Sequence, residues 1–395
     1  MMKIRAAAKF LLIPVCCLLF SGCIKIVNLQ DRAIVQGVGV DYQDGQYLIT
    51  MQIFSSDGSG GQTIIDFSKQ NAKVITCRGK TISEAVEDTS ISQGKDFFLG
   101  HNRLVILGES ARELPLSESL SYFINTMDSR ADVNVLLAEK SASEVLNADI
   151  NQGILPALTI EKTVQNADDS GKISEVLLID ILRSLAAEHQ SALIPVIAIA
   201  KGEDAANGVD ESKKLKNIEL TGMAVFSEGM YQGTLNESET RGMMFLRDEI
   251  QKTVYSVFNE DFREISVELY RSNTKIVPHI NGDDLQFTVK INADGMVQEK
   301  VLEAGKSFNE KSLRRVEDVI QEKIRSECEE AFQKAVGEYK SDVFYLGDMV
   351  WRDQPELWEK IQDDWKENAG KIKLSYDITV DIDRTGLQEN FKGVL

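Results

Sequence analysis

Histidine is almost missing from this sequence: three residues in 395, at positions 101, 189 and 279, too far apart to make a local ligand set. No H-E-x-x-H, paired C-x-x-C or G-x-S-x-G pattern occurs, so zinc hydrolysis, a cysteine zinc site and a serine nucleophile elbow lack their usual carriers. Basic runs are missing too. With 44 Lys and Arg against 62 Asp and Glu, the net charge is −18, and a chain without clustered cations has nothing to neutralise nucleic-acid phosphates. No apolar stretch reaches the roughly 20 residues that a membrane span requires. What remains is a globular composition, 43% hydrophobic and 27% charged, in a chain long enough for two or three domains and a core without disulfide or metal staples.

The N-terminus is a separate case. Lys3, Arg5 and Lys9 precede an apolar run of 11 residues, Phe10 to Phe20, followed by Leu19-Phe20-Ser21-Gly22-Cys23. A positive start, a short apolar stretch and small residues before a cysteine read as a secretory signal with a bacterial lipobox. Cys23 is then the expected lipid-attachment residue, its thiol carrying diacylglycerol after cleavage of residues 1–22. Phe20 stands where Leu or Val is usual. Cleavage removes three positive charges and no acid, leaving 373 residues carrying −21. It also removes Cys16 and Cys17. Only Cys77 and Cys328 remain as thiols, which excludes a disulfide framework. Spacing leaves their pairing open, and two free structural thiols are the simpler reading.

Along the rest of the chain, Ala33 to Tyr42 and Gln46 to Ile53 read as strands around the hairpin signal Asp44-Gly45. Thr81-Ile-Ser-Glu84 and Ser141-Ala-Ser-Glu144 are capping-box patterns opening helices. Helical spacing follows Leu116, and Ser174 to Glu188 reads as a helix. Arg103 to Leu107, Val133 to Glu139 and Leu193 to Ala200 read as strands, the last demoted by Pro195 to an edge or bulge position. Lys201 to Lys216 is polar and aperiodic, the expected linker or long loop between an N-terminal α/β region (23–200, with room for two subdomains) and a C-terminal α+β domain (217–388). That second region offers a hairpin at Ser227-Glu228-Gly229, another at Asn281-Gly282, and a long apolar stripe from Leu313 to Val336. A helix from Pro355 to Asn368 and a last strand from Ile372 to Ile382 follow. The fold class is α+β, with sheets and packed helices in several domains.

Candidate chemistry gives way to plainer readings. Gly79-Lys80-Thr81 resembles the end of a phosphate loop, but Val74 occupies the position where its first glycine belongs, so a helix start after a strand explains it better. In Gly37-Val-Gly-Val-Asp41 the third glycine of a dinucleotide motif is missing, and close backbone packing is expected instead. Asp41, Asp44 and Asp57 lack the spacing of a calcium loop. His101 reads as a turn residue. Trp351, Trp358 and Trp365 read as core and boundary residues. No catalytic residue, cofactor or metal site is expected.

Three blocks, taken in order, resemble the Ger(x)C family, the C subunit of bacterial spore germinant receptors. The first is Cys23 followed by Asp31-Arg-Ala-Ile-Val-Gln-Gly-Val-Gly-Val-Asp41. The second is Arg78-Gly-Lys-Thr-Ile-Ser-Glu-Ala85 with Phe98-Leu-Gly-His-Asn-Arg-Leu-Val-Ile-Leu-Gly-Glu109. The third is Tyr339-Lys-Ser-Asp-Val-Phe-Tyr-Leu-Gly347 with Trp358, Trp365 and Arg384-Thr-Gly386. Family members commonly carry Trp-Asp after the lipidated cysteine, where Ile24-Lys25 stands here. The resemblance implies three mixed α/β domains and a non-enzymatic lipoprotein on the outer face of the spore inner membrane. It also implies work alongside polytopic A and B subunits that sense nutrient germinants. Two other readings stay open: a lipid-anchored protein that captures the germinant in a deep pocket, and an envelope hydrolase, which needs a cleft with a perturbed carboxylate or activated nucleophile.

Overall fold

The computed structural model describes residues 31–54, 72–126, 128–148, 155–187, 190–200, 217–259, 262–281, 284–302 and 308–383. The expectations for the signal segment, Cys23, Asp57, His189, 201–216 and Arg384–Gly386 lie outside these residues.

Two sheets organise the chain. The first contains β1 (Arg32–Gln43), β2 (Gln46–Phe54), β3 (Ala72–Gly79), β4 (Asp96–Phe98), β5 (Leu104–Leu107), β6 (Asn134–Ala138), β7 (Ser191–Ala200), β8 (Asn217–Ser227) and β9 (Met230–Leu235). They run in the order β3-β2-β1-β5-β6-β7-β8-β9, with β4 also beside β1. The second holds β10 (Thr253–Asn259), β11 (Phe262–Asn281), β12 (Asp284–Leu302) and β13 (Lys373–Asp383), in chain order. Five helices accompany the first sheet: α1 (Ile82–Gln93), α2 (Leu116–Asn125), α3 (Ala142–Leu146), α4 (Pro156–Asp169) and α5 (Leu178–Ala186). Then come α6 (Glu237–Leu246), α7 (Glu310–Phe332), α8 (Leu346–Asp353), α9 (Pro355–Ile361) and α10 (Trp365–Ala369). Mixed sheets with packed helices make this an α+β fold.

Local chemistry accounts for much of this. Asp44 and Gly45 take φ of 54° and 76°, the left-handed pair that matches strand twist in a two-residue hairpin. β1 then joins antiparallel β2 to parallel β4 and β5, and the core strands β5 and β6 are buried at every position. Such strands, covered on both faces, carry continuous apolar runs. Gly37 and Gly39 serve the close packing expected of them: a β-carbon at either would press on Leu146, with Ala157 or Ala142 beside it, so α3 and α4 can lie directly on β1.

Several elements differ from the expectation. Of the two positions expected for a strand carrying Pro195, an edge or a bulge, β7 takes the second: it is central, and its register with β8 shifts between Val196 and Ile197, just after the proline. Residues 174–177 stay out of α5, because Val135 N–H donates to the Val176 carbonyl and Leu178 N–H to that of Val133, holding the segment against β6. The helix expected from Pro355 breaks into α9, a 3₁₀ turn at Gln362–Asp364 and α10, with Asn368 Nδ2 donating to the freed Ile361 carbonyl. Helices α4 and α6 were not anticipated. Their signals are present: Pro156 at the first position of α4, and Asn236 with Glu239 as a reciprocal capping box for α6. β7 and β8, on either side of 201–216, are antiparallel neighbours from Ser191↔Ser227 to Ala200↔Asn217.

The stripe on α7 is buried at Leu313, Val316, Ile320, Ile324 and Ala331, with Cys328 added to it. Past Phe332 the helix widens into a π-helical segment, Gln333–Glu338, that buries Ala335 and Val336, and α7 is set against β10 and β13 of the second sheet. α6, which follows the last strand of the first sheet, lies along α7. At their crossing a β-carbon on Gly242 would collide with the Glu327 carbonyl. Gly242→Ala is therefore expected to cost about 1–3 kcal/mol through overpacking, read as a lowered urea midpoint.

Candidate functional site

Each of the three sequence blocks supplies a residue to buried polar contacts, which fall into two sets. The first set lies on β1 and β2. Asp41, 6% exposed, accepts from Ala142 N–H, Ser143 N–H and Ser141 Oγ, each at 3.0 Å, and so caps the start of α3. Gly108 sits against this carboxylate, with no room for a side chain. Gln52 extends the arrangement: its amide donates to the Leu146 carbonyl at the end of α3 and accepts from Ala157 N–H at the start of α4. Asp41 is thus a helix cap, as a buried carboxylate facing backbone N–H groups should be. It is not a calcium ligand.

Thr81 caps α1 as expected, accepting from Glu84 N–H at 3.1 Å, while the Glu84 carboxylate accepts from Lys80 N–H at 2.6 Å. Gly79-Lys80-Thr81 is a strand-to-helix junction. His101 is exposed, its ring 5.9 Å from that of Phe98 in an edge-on arrangement, and the Arg32 guanidinium lies 4.8 Å from the Phe98 ring centre. His279 is exposed on β11. Cys77 and Cys328 are both free, Cys77 donating to the Ile49 carbonyl and Cys328 to that of Gly242. Among the described residues, no three His, Cys, Asp or Glu side chains converge as a metal would require.

The second set joins the two sheets. Glu327 of α7 receives both Nε and Nη2 of Arg241 from α6, and accepts from the Tyr255 hydroxyl of β10 at 2.6 Å. Arg241 also stacks over the Tyr255 ring, 4.8 Å from its centre. Burial works against the Arg241 charge, but Tyr255 and Glu327 more than offset it, so the guanidinium is held protonated. Burial, and then the Glu327 charge, push the Tyr255 phenol well above its ordinary value. Just past the end of α6, Arg247 donates to Glu249, to the Val343 carbonyl at 2.7 Å and to the Tyr345 hydroxyl at 2.9 Å.

Arg247 leads into the third block. Asp342 is buried and accepts four hydrogen bonds: from Phe344, Leu346 and Gly347 N–H at 3.1, 3.1 and 2.8 Å, and from the Trp365 indole at 3.0 Å. Trp358 packs edge-on against Trp365 with ring centres 5.1 Å apart. Trp351, by contrast, is 60% exposed. From the same block Tyr339 donates to the Thr234 carbonyl of β9, and nearby Lys366 pairs with Glu228 in the β8–β9 turn. The block is therefore a junction between the helices of the second sheet and the far strands of the first.

Arg241, Arg247, Tyr255 and Glu327 were not singled out from sequence. Glu327 could have been: it falls on the apolar stripe, three residues after Ile324 and four before Ala331, where an acid needs a buried partner. Nothing local marks Arg241 as that partner.

Two family models match in succession. Residues 25–199 match the spore germination protein N-terminal domain, and residues 221–386 match the model described as spore germination B3/GerAC like, C-terminal. The chain belongs to the Ger(x)C family, the germinant receptor C subunits involved in spore germination. It is similar to three Bacillus subtilis (strain 168) proteins. Spore germination protein B3 is 24% identical, over 96% of this chain and 98% of that protein. Spore germination protein KC is 24% identical over 93% of each, and spore germination protein A3 is 25% identical over 96% and 97%. In fold, it resembles the crystal structure of the GerBC protein, with a TM-score of 0.54 at 21% identity over 91% of this chain and 99% of that one.

Two substitutions test the junction. Glu327→Ala leaves Arg241 buried without its partner and should cost about 3–5 kcal/mol in urea unfolding. For Asp342, burial raises the carboxyl above its ordinary value, against the pull of its donors. Its contribution to stability is then complete below the unfolded carboxyl range near ~3.9 and is lost as pH climbs through the raised folded value. The stability gap between the parent chain and Asp342→Asn should accordingly narrow with rising pH, as measured by unfolding at stepped pH.

Proposed function

We propose that this chain is the lipid-anchored, non-enzymatic C subunit of a spore germinant receptor, tethered through Cys23 at the outer face of the spore inner membrane and working with A and B subunits. The observation carrying this reading is the order of the two family matches, residues 25–199 and then 221–386, the first beginning two residues after the lipobox cysteine. Among the described residues no helix is long and apolar enough to cross a membrane; the lipid-attachment reading rests on the sequence around Cys23. Burying acyl chains supplies about 0.8 kcal/mol per CH₂. Among the described residues, the acids buried most completely, Asp41, Asp342 and Glu327, each face donors that fasten one element to another.

Cys23→Ala is expected to move the protein from the membrane to the soluble fraction and to impair nutrient-triggered germination. Full membrane retention with an unchanged nutrient response would remove the anchoring claim. Purification of the tagged parent chain from spore membranes should bring the A and B subunits with it.

A further inference from the structure

Between α1 and α2, beside the start of β2, lies an open groove of about 450 Å³. Tyr47 from the start of β2, Ser83 from the first turn of α1, and Glu118, Ser121, Tyr122 and Asn125 along α2 line it. The volume suits a small molecule. Both tyrosines are braced from behind. Tyr42 stands edge-on to Tyr47 with ring centres 5.1 Å apart, and Phe123 edge-on to Tyr122 at 5.5 Å. Both tyrosines line the groove.

The electrostatics of the groove have one sign. No lysine or arginine lines it, and among the described residues Glu118 forms no ion pair. Burial raises both phenols, and so does negative charge: Glu118 at Tyr47, and Asp128 and Asp96 at Tyr122. A place in the first turn of α2 explains an acid at position 118, since the helix dipole favours it there. It does not explain two braced aromatic rings lining the same space. An anion would meet Glu118 unfavourably, and a metal ion would find one carboxylate where it needs several oxygens. An organic cation fits, because aromatic faces and a carboxylate both attract it. The Ser121 hydroxyl and the Asn125 amide nitrogen already donate along α2, to the Glu118 and Ser121 carbonyls, which leaves their oxygens, with that of Ser83, to accept from the cation's N–H groups.

We propose that the groove between α1 and α2 binds a small organic ammonium ion, with its charge paired to Glu118 and lying against Tyr47 and Tyr122. The site is independent of anchoring, so Cys23→Ala should bind equally well whatever its location.

The test is titration of the full chain in non-ionic detergent with propylammonium chloride, followed by saturation-transfer NMR, with potassium propionate as the anionic match in size. Saturable binding of propylammonium and none of propionate is expected. Glu118→Gln should weaken it at least tenfold while circular dichroism stays unchanged, and the distant Glu359→Gln should leave it unaltered. Tyr122→Phe keeps the ring and should retain binding within a few-fold. No saturable binding of propylammonium, equal binding of propionate, or full binding by Glu118→Gln would each overturn the proposal.

Discussion

The crossing of α6 and α7 is the contact on which the two sheets depend. α6 ends the run of the first sheet, and α7 covers the second. Their backbones approach so closely at Gly242 that helix meets helix without an intervening side chain. Approach at that distance excludes water, which would leave any charge there costly. Arg241 and Glu327 resolve the difficulty by pairing in bidentate fashion, and Tyr255 brings the first strand of the second sheet into the same bond network. A buried pair of this kind contributes less by its net energy than by penalising alternatives, since any other helix register would strand a charge. Arg247 and Asp342 then carry the constraint onward, one residue at a time, to the block around Tyr339.

This arrangement gives a physical reason for the residues by which the chain resembles its family. Asp41 sits at the end of β1 because α3 begins above it. Asp342 follows Tyr339 by three residues because the turn between them must present a carboxylate to three N–H groups and an indole. Both acids spend their oxygens on these donors. The family blocks are, in this chain, mainly instructions for joining elements, and surfaces left over from that task are where partners and ligands have to be met.

Sequence reading reached far where the information is local. The Asp44-Gly45 turn, the Thr81 cap, the close packing at Gly37 and Gly39, and the α7 stripe each depend on a few adjacent residues or one period, and each appears in the structure. It fell short where the deciding partner is remote. Residues 174–177 are helical by pattern and extended in fact, because β6 claims their backbone. Pro195 left an edge and a bulge equally open, and pairing with β8 decides for the bulge. The Arg241–Glu327 pair spans 86 positions, and no local spacing rule connects residues so far apart. Cys23 is the opposite case, a residue read wholly from its local motif.

The pairing of β7 with β8 has a consequence for how the family may be cut apart in the laboratory. The two matched models end at 199 and resume at 221, yet the hydrogen bonds between β7 and β8 run across that gap. A fragment ending at residue 200 would expose the edge of β7, and one starting at 217 would carry β8 and β9 as a detached hairpin above α6. Each half would present open backbone to any strand it met, including another copy of itself. Co-expressed halves, by contrast, have a ready-made seam along which to reassemble.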